Sequence, residues 1–199
     1  MKKALIIVAL VVFTAAIAWI LYNKYRIVIP PVDTAKSEIG WSAKSVSDTH
    51  FGKVQLSKAT LEFKNSKLVG GSFEIDMKTI TVEDITDPEN KSNFIVHITT
   101  EDFFDIERFP TASFVILDVQ PINESEYTVK GNITIKGITT EIQFKAKVVE
   151  ANNIKTASAT IVLNKNVFGI EYGSKDKQGS QKDWFIYDEF TLNVNIVSK

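Results

Sequence analysis

The sequence predicts a mainly β protein whose antiparallel strands roll up or stack, and three observations carry that expectation. Apolar and polar residues alternate with a period of two through most of the chain beyond Ser37. Short clusters rich in Asn, Gly and Ser separate the alternating runs. One stretch, near 88–99, changes to helical spacing.

The chain begins with Lys2-Lys3 and an uncharged run from Ala4 to Tyr22. About 19 residues at 1.5 Å rise give roughly 28 Å of helix, close to the hydrocarbon thickness of a bilayer. Ala16-Ile17-Ala18 offers a signal-peptidase-like site. Trp19-Ile20-Leu21-Tyr22 stays apolar past it, and Trp19, Tyr22 and Tyr25 suit an interfacial aromatic belt. We therefore read 1–26 as a signal-anchor helix, with a cleaved signal peptide as the alternative. Either sends the rest of the chain across the membrane. Residues 27–35 hold Pro30-Pro31 and read as a short, stiff linker, leaving 36–199 as one domain.

The strands follow in order. Ile39, Trp41 and Ala43 share one face, then Gly52, Val54 and Leu56, then Ala59, Leu61 and Phe63, then Gly71, Phe73, Ile75 and Met77. After Ala112 to Val119 come Tyr127 to Ile135, Ile142 to Val148, Ala157 to Leu163 and Phe190 to Ile196, each alternating with polar residues. That makes about nine strands, each with one dry and one wet face, the mark of an antiparallel sheet. Asn65-Ser66, Asn123-Glu124-Ser125, Lys136-Gly137 and Asn152-Asn153 are the turn signals. Between strands, Phe94, Ile95, Ile98 and Phe103 recur at helical spacing, and either Asp87-Pro88 or Asn90 can cap a helix over Pro88 to Thr99 lying across a barrel opening.

Composition excludes several activities. The 23 basic and 24 acidic residues leave a net charge of −1, which argues against a nucleic-acid binder. No cysteine is present, so disulfides, thiol catalysis, thiolate metal sites and a lipoprotein tether are excluded. With only two histidines, His50 and His97, composition argues against a His-rich metal site, and no cofactor or metal is expected. Asp102, Asp105, Glu107 and Arg108 invite a catalytic reading, but no nucleophile, base and orienting group accompany them. Gly70-Gly71 lacks the Lys-Ser/Thr of a phosphate loop. Lys175, Lys177 and Lys182 share a polar loop, 174–183, with Asp176 and Asp183, so no net basic patch forms.

Three sequence blocks are more specific. Glu101-Asp102-Phe103-Phe104-Asp105-Ile106-Glu107-Arg108-Phe109-Pro110, Val129-Lys130-Gly131-Asn132-Ile133-Thr134-Ile135-Lys136-Gly137 and Phe168-Gly169-Ile170 follow Gly71 to Met77 in an order that resembles the YceI-like family. The resemblance covers nearly all of Asp33 to Val197. It implies an extended, lipocalin-like antiparallel barrel facing the bacterial periplasm, with a long isoprenoid or other aliphatic chain inside. Lys165, where the family commonly has Arg, departs from its pattern. So do Ile98, where it usually has Leu, and the segment from Trp41 to Gly52.

The residues alone leave a tunnel and a filled core equally open. Large inward groups such as Trp41 and Phe73 alternate with small ones such as Ala43, Gly71 and Gly131, and a barrel of about eight strands accommodates either arrangement. The resemblance implies the tunnel. Its expected lining is Trp41, Ala43, Val54, Leu61, Phe63, Phe73, Ile75, Phe94, His97, Phe103, Phe114, Ile133, Phe144, Ala157, Phe168 and Phe190. His97 reads as a hydrogen-bonded structural residue beneath the helix, with a contact to a ligand headgroup or a general base as the other readings, and His50 as a solvent-exposed residue beside a turn. The expected function is binding, sequestration or transport of a long-chain amphiphilic lipid, a polyisoprenoid or fatty-chain derivative, without enzymatic activity. The alternatives are a structural or interaction barrel with a filled core and a lipid-modifying enzyme with His97 and Asp102 as its acid–base pair. The expected partners are that lipid, a membrane through the N-terminal helix and, as an open option, a second copy of the chain in a homodimer.

Overall fold

Each alternating run can bury only one face, and eight of them solve this together by closing a barrel. The computed structural model describes residues 2–175 and 185–199, with side chains from residue 12 onward except at 23. The elements are α1 (Lys2–Tyr25), β1 (Ile27–Val28), β2 (Glu38–Ser45), β3 (Thr49–Lys64), β4 (Lys67–Asp76) and α2 (Pro88–Thr99). They continue with β5 (Thr111–Pro121), β6 (Glu126–Ile135), β7 (Ile138–Ala151), β8 (Ile154–Asn164) and β9 (Ile186–Val197). Strands β2 to β9 form an antiparallel meander, closed where β2 meets β9 and where β3 meets β4. Closure pairs each of these eight strands with a neighbour on both sides over at least part of its length.

The two runs read at Gly52–Leu56 and Ala59–Phe63 are one strand. The inward face changes parity between them, and a bulge between Leu56 and Lys58 absorbs the extra residue. A second bulge falls between Ile116 and Asp118. Three of the four turn signals hold because their residues occupy the left-handed region: Asn65 and Ser66, Lys136 and Gly137, Asn152 and Asn153 all have positive φ. The fourth holds through Asn123 Oδ1, which accepts from Ser125 N–H at 3.0 Å and Glu126 N–H at 2.9 Å. Asp87 accepts a hydrogen bond from Asn90 N–H at 2.9 Å and caps α2, with Pro88 at its first position.

The barrel has a wide end and a narrow end. The β2–β3 hairpin, α2, the turn at Lys136-Gly137 and the segment 165–175 gather at the wide end. There β7 and β8 share rungs only from Ala146 to Ala151, and a 3₁₀ turn, Lys165–Phe168, packs against β7 and β9. The upper part of β3 is edged by residues 79–84: Thr81 N–H donates to Lys53 O, and Phe51 N–H donates to Asp84. Gly52 makes this approach feasible, since a Cβ there would lie 1.9 Å from Thr81 O.

The chain enters at the narrow end. Within residues 27–35, Ile27 and Val28 pair with Lys64 and Phe63, Pro31 bridges Thr60, and Val32 bridges Ser198. Helix α1 is apolar, and from residue 12 on its large side chains are exposed, Phe13 by 67 % and Trp19 by 68 %. Among the described residues, which leave out the side chains of 2–11, no helix is long and apolar enough to cross a membrane.

Candidate functional site

The inward faces of the barrel enclose an apolar cavity of about 420 Å³, a size typical of small-molecule sites. A core filled by its own aromatics is therefore not what these residues build. Inward residues on β9 run from Ile196 at the narrow end to Ile186 at the mouth, about 33 Å along the strand at 3.3 Å per residue. Phe63, Tyr127 and Val148 are buried beneath the cavity, next in register to the wall residues Leu68, Ala146 and Ala157. Together they form its floor.

Of the residues expected to line a tunnel, Trp41, Ala43, Val54, Leu61, Phe73, Ile75, Phe94, His97, Phe103, Phe114, Ile133, Phe144, Ala157 and Phe190 do border the cavity. Phe63 and Phe168 do not. Phe63 is only 1 % exposed and belongs to the floor, against Lys155, whose ammonium lies 5.0 Å over its ring. Phe168 sits in the 3₁₀ turn after β8 has ended, so the period-two wall no longer governs where its side chain packs. The inward glycines are also corrected. Gly131 does not widen the tunnel: a Cβ there would lie 2.5 Å from Phe114 Cζ, because that ring fills the space.

The mouth is aromatic and partly polar. Phe94 on α2 stacks on Trp41 with ring centres 6.4 Å apart and meets the His50 ring at 4.5 Å. One turn further along α2, His97 is flanked edge-on by Tyr172 at 4.6 Å and Phe103 at 5.0 Å. Phe94 and His97 are three residues apart and so share the helix face turned to the barrel. The described contacts join this helix to the strands through side chains, while its last carbonyls bond the following loop: Phe104 N–H to Ile98 O and Ile106 N–H to Thr99 O.

His50 is not a solvent-exposed turn residue. It is in β3, opposite Ala43 and on the inward face of Gly52 and Val54, and it borders the cavity. Its Nδ1 lies 2.7 Å from Asp84 Oδ2. The parity of β3 already placed His50 on that face, and this was the signal to follow. Asp84, 34 residues away, carried none.

Lys165 is a second residue whose place the sequence did not give. It is buried, and its Nζ donates to Ile170 O at 3.2 Å, Tyr172 O at 3.1 Å and Ser174 Oγ at 2.5 Å, with Asp188 at 3.6 Å. Burial pushes the Lys165 ammonium below its ordinary pKa, against the pull of Asp188. The Ser174 hydroxyl, 2.6 Å from Asp188, holds the Asp188 carboxyl below its ordinary value despite partial burial. This clamp fixes the loop that carries Tyr172 to the mouth. The remainder of the polar loop read at 174–183, from 176 on, lies outside the described residues, and Lys177 and Lys182 with it.

The acidic cluster forms no catalytic arrangement. Asp102 is exposed and makes no hydrogen bond to His97. Asp105 is buried and receives Arg108 Nη1 at 3.1 Å, closing its own turn. Among the described residues no cluster could hold a metal ion.

Residues 31–198 match the YceI-like domain. A UPF0312 protein of Pseudomonas putida (strain W619) is 29% identical over 113 residues, 54% of this chain and 56% of that protein. The chain thus spans about half the length of the curated relatives it matches. Among solved structures, BcnA of Burkholderia cenocepacia superposes with a TM-score of 0.69 at 21% identity, covering 84% of this chain and 99% of that one. The Campylobacter jejuni YCEI protein does so at 0.55 and 17% identity, over 71% and 79%. A polyisoprenoid binding domain from Saccharophagus degradans, implicated in plant cell wall breakdown, gives 0.62 at 8% identity, over 87% and 99%. These likenesses establish the barrel as a shared fold, and the match over 31–198 establishes more: the chain belongs to the YceI-like family.

Proposed function

We propose that this protein binds a long-chain amphiphilic lipid, a polyisoprenoid or a fatty derivative, inside its barrel, and that it sequesters or carries this lipid rather than converting it. The observation that carries the reading is the apolar cavity open at α2 and floored by Phe63. An aliphatic chain entering it gains about 0.8 kcal/mol per buried CH₂ before ordering costs. The Saccharophagus degradans neighbour, a polyisoprenoid binding domain of the same fold, supports that class of guest.

The site of action in this reading is the periplasmic side of a bacterial envelope, with 1–26 as a membrane anchor. The exposed apolar side chains of α1, with Trp19, Tyr22 and Tyr25 near its end as an interfacial aromatic belt, support the anchor. The anchor would join the barrel at its floor, away from the mouth.

Trp41 supplies the test. It borders the cavity, so a protein carrying Trp19→Phe and Trp184→Phe keeps one indole, at the mouth. Titration with a polyprenol is expected to blue-shift and saturate its emission at micromolar or lower concentration. Emission that is unchanged throughout the titration counts against the reading.

A further inference from the structure

The cavity wall is mostly apolar, and at its mouth the His50 ring is held by a carboxylate at one nitrogen and presents the other without a partner among the described residues. His50 borders the cavity, and its Nδ1 faces Asp84 Oδ2 at 2.7 Å. Asp84 Oδ1 also receives Phe51 N–H at 2.8 Å. Partial burial pushes the Asp84 carboxyl upward, but these two hydrogen bonds outweigh it and leave the group below its ordinary value. A carboxylate only accepts, so the proton between the two residues belongs to Nδ1. In the neutral ring the other nitrogen, Nε2, is then an acceptor. Among the described residues no hydrogen bond reaches it.

The surrounding charge does not favour an anion. Lys165 is engaged by two carbonyls, Ser174 and Asp188. Lys44 lies 5.4 Å over the Tyr187 ring. Asp84 itself is an ionised carboxylate beside the imidazole, and Asp48 borders the same mouth. The start of α2, which could attract an anion, is taken by its own Asp87 and Glu89.

We infer that His50, oriented by Asp84, anchors the polar end of the ligand, and that this end is an uncharged hydrogen-bond donor, a primary amide or an alcohol, rather than a phosphate or carboxylate. The inference rests on the barrel-interior reading proposed above. The head lies at the mouth beside Phe94 of α2, which touches the His50 ring, and the chain descends toward the floor.

Four probes with one shared chain test it at pH 8 on the full-length protein: oleamide, oleyl alcohol, methyl oleate and oleic acid. Only the first two present an uncharged donor. They are expected to bind about five- to tenfold more tightly than the ester, the worth of one hydrogen bond, with oleic acid no tighter than the ester. In His50→Phe the amide-to-ester ratio falls to near one. In Asp84→Asn the new amide can donate to Nδ1, which moves the ring proton to Nε2, so the preference shifts toward the ester. With only two histidines in the chain, imidazole ¹⁵N NMR reads both the tautomer and the probe's contact. Equal affinities for amide and ester, a ratio that His50→Phe leaves intact, or tightest binding of oleic acid would overturn the inference alone. Failure of all four probes to bind would overturn the barrel-interior reading itself.

Discussion

At the scale of single residues, the groups that shape the mouth are polar and depend on partners distant in sequence. Asp188 holds Ser174 and the Lys165 ammonium in the clamp under Tyr172, and its carboxyl lies below the ordinary range. The linkage follows from that direction. An acid whose pKa is lower folded than unfolded stabilises the fold above its unfolded value, near 3.9, and loses this as pH falls through the folded one. Asp188→Asn is therefore expected to cost about 2 kcal/mol at pH 7, as expected for a hydrogen bond to a charged group. Denaturant titrations should show this gap closing as pH falls below 4. A gap unchanged between pH 7 and the acid range would contradict the assignment. None of this was legible in the sequence. Lys165 stood out only by departing from a family pattern, and its carboxylate is 23 positions further on, across residues with no periodic signal. His50 is the opposite case, legible by parity yet misplaced, because the nearby turn outweighed the alternation of β3.

At the scale of elements, α2 is the piece whose stability is separable from the barrel. It bonds no strand through its backbone in the described contacts, and its Phe94 and His97 rings rest on the mouth. Its N-terminus depends on Asp87. Asp87→Ala should weaken the helix by about 1 kcal/mol. Amide exchange in α2 is then expected to quicken about fivefold while β6 and β7 keep their protection. Uniform acceleration across the barrel would instead tie the helix to global unfolding. The helix was legible because a Pro at its first turn, an Asp before it and apolar spacing of three to four residues all agree. The strands were legible for a similar reason: each has one wet and one dry face. What failed was continuity, since the bulge near Ser57 reverses the parity and made one strand read as two. Gly131 failed differently. A missing side chain looks like empty space in a sequence, whereas in the fold its neighbour Phe114 takes that space.

At the scale of the whole molecule, the closed meander explains why the protein has an interior to use. Eight strands with small inward residues on β8, Ala157 and Ala159, leave room that Phe73, Phe114 and Phe144 do not fill. The floor and both ends of the barrel domain meet at the narrow end, where Lys199 N–H donates to Pro31 O, and the mouth opens at the other. The central claim is that this space holds a lipid chain. The most direct test is mass spectrometry of organic extracts from the purified full-length protein and from Ala157→Phe, which places a ring inside the cavity. A long-chain lipid recovered at near one per protein from the first, and strongly reduced in the second at unchanged circular dichroism, is the result this account predicts. Equal recovery from both, or none from either, would contradict it.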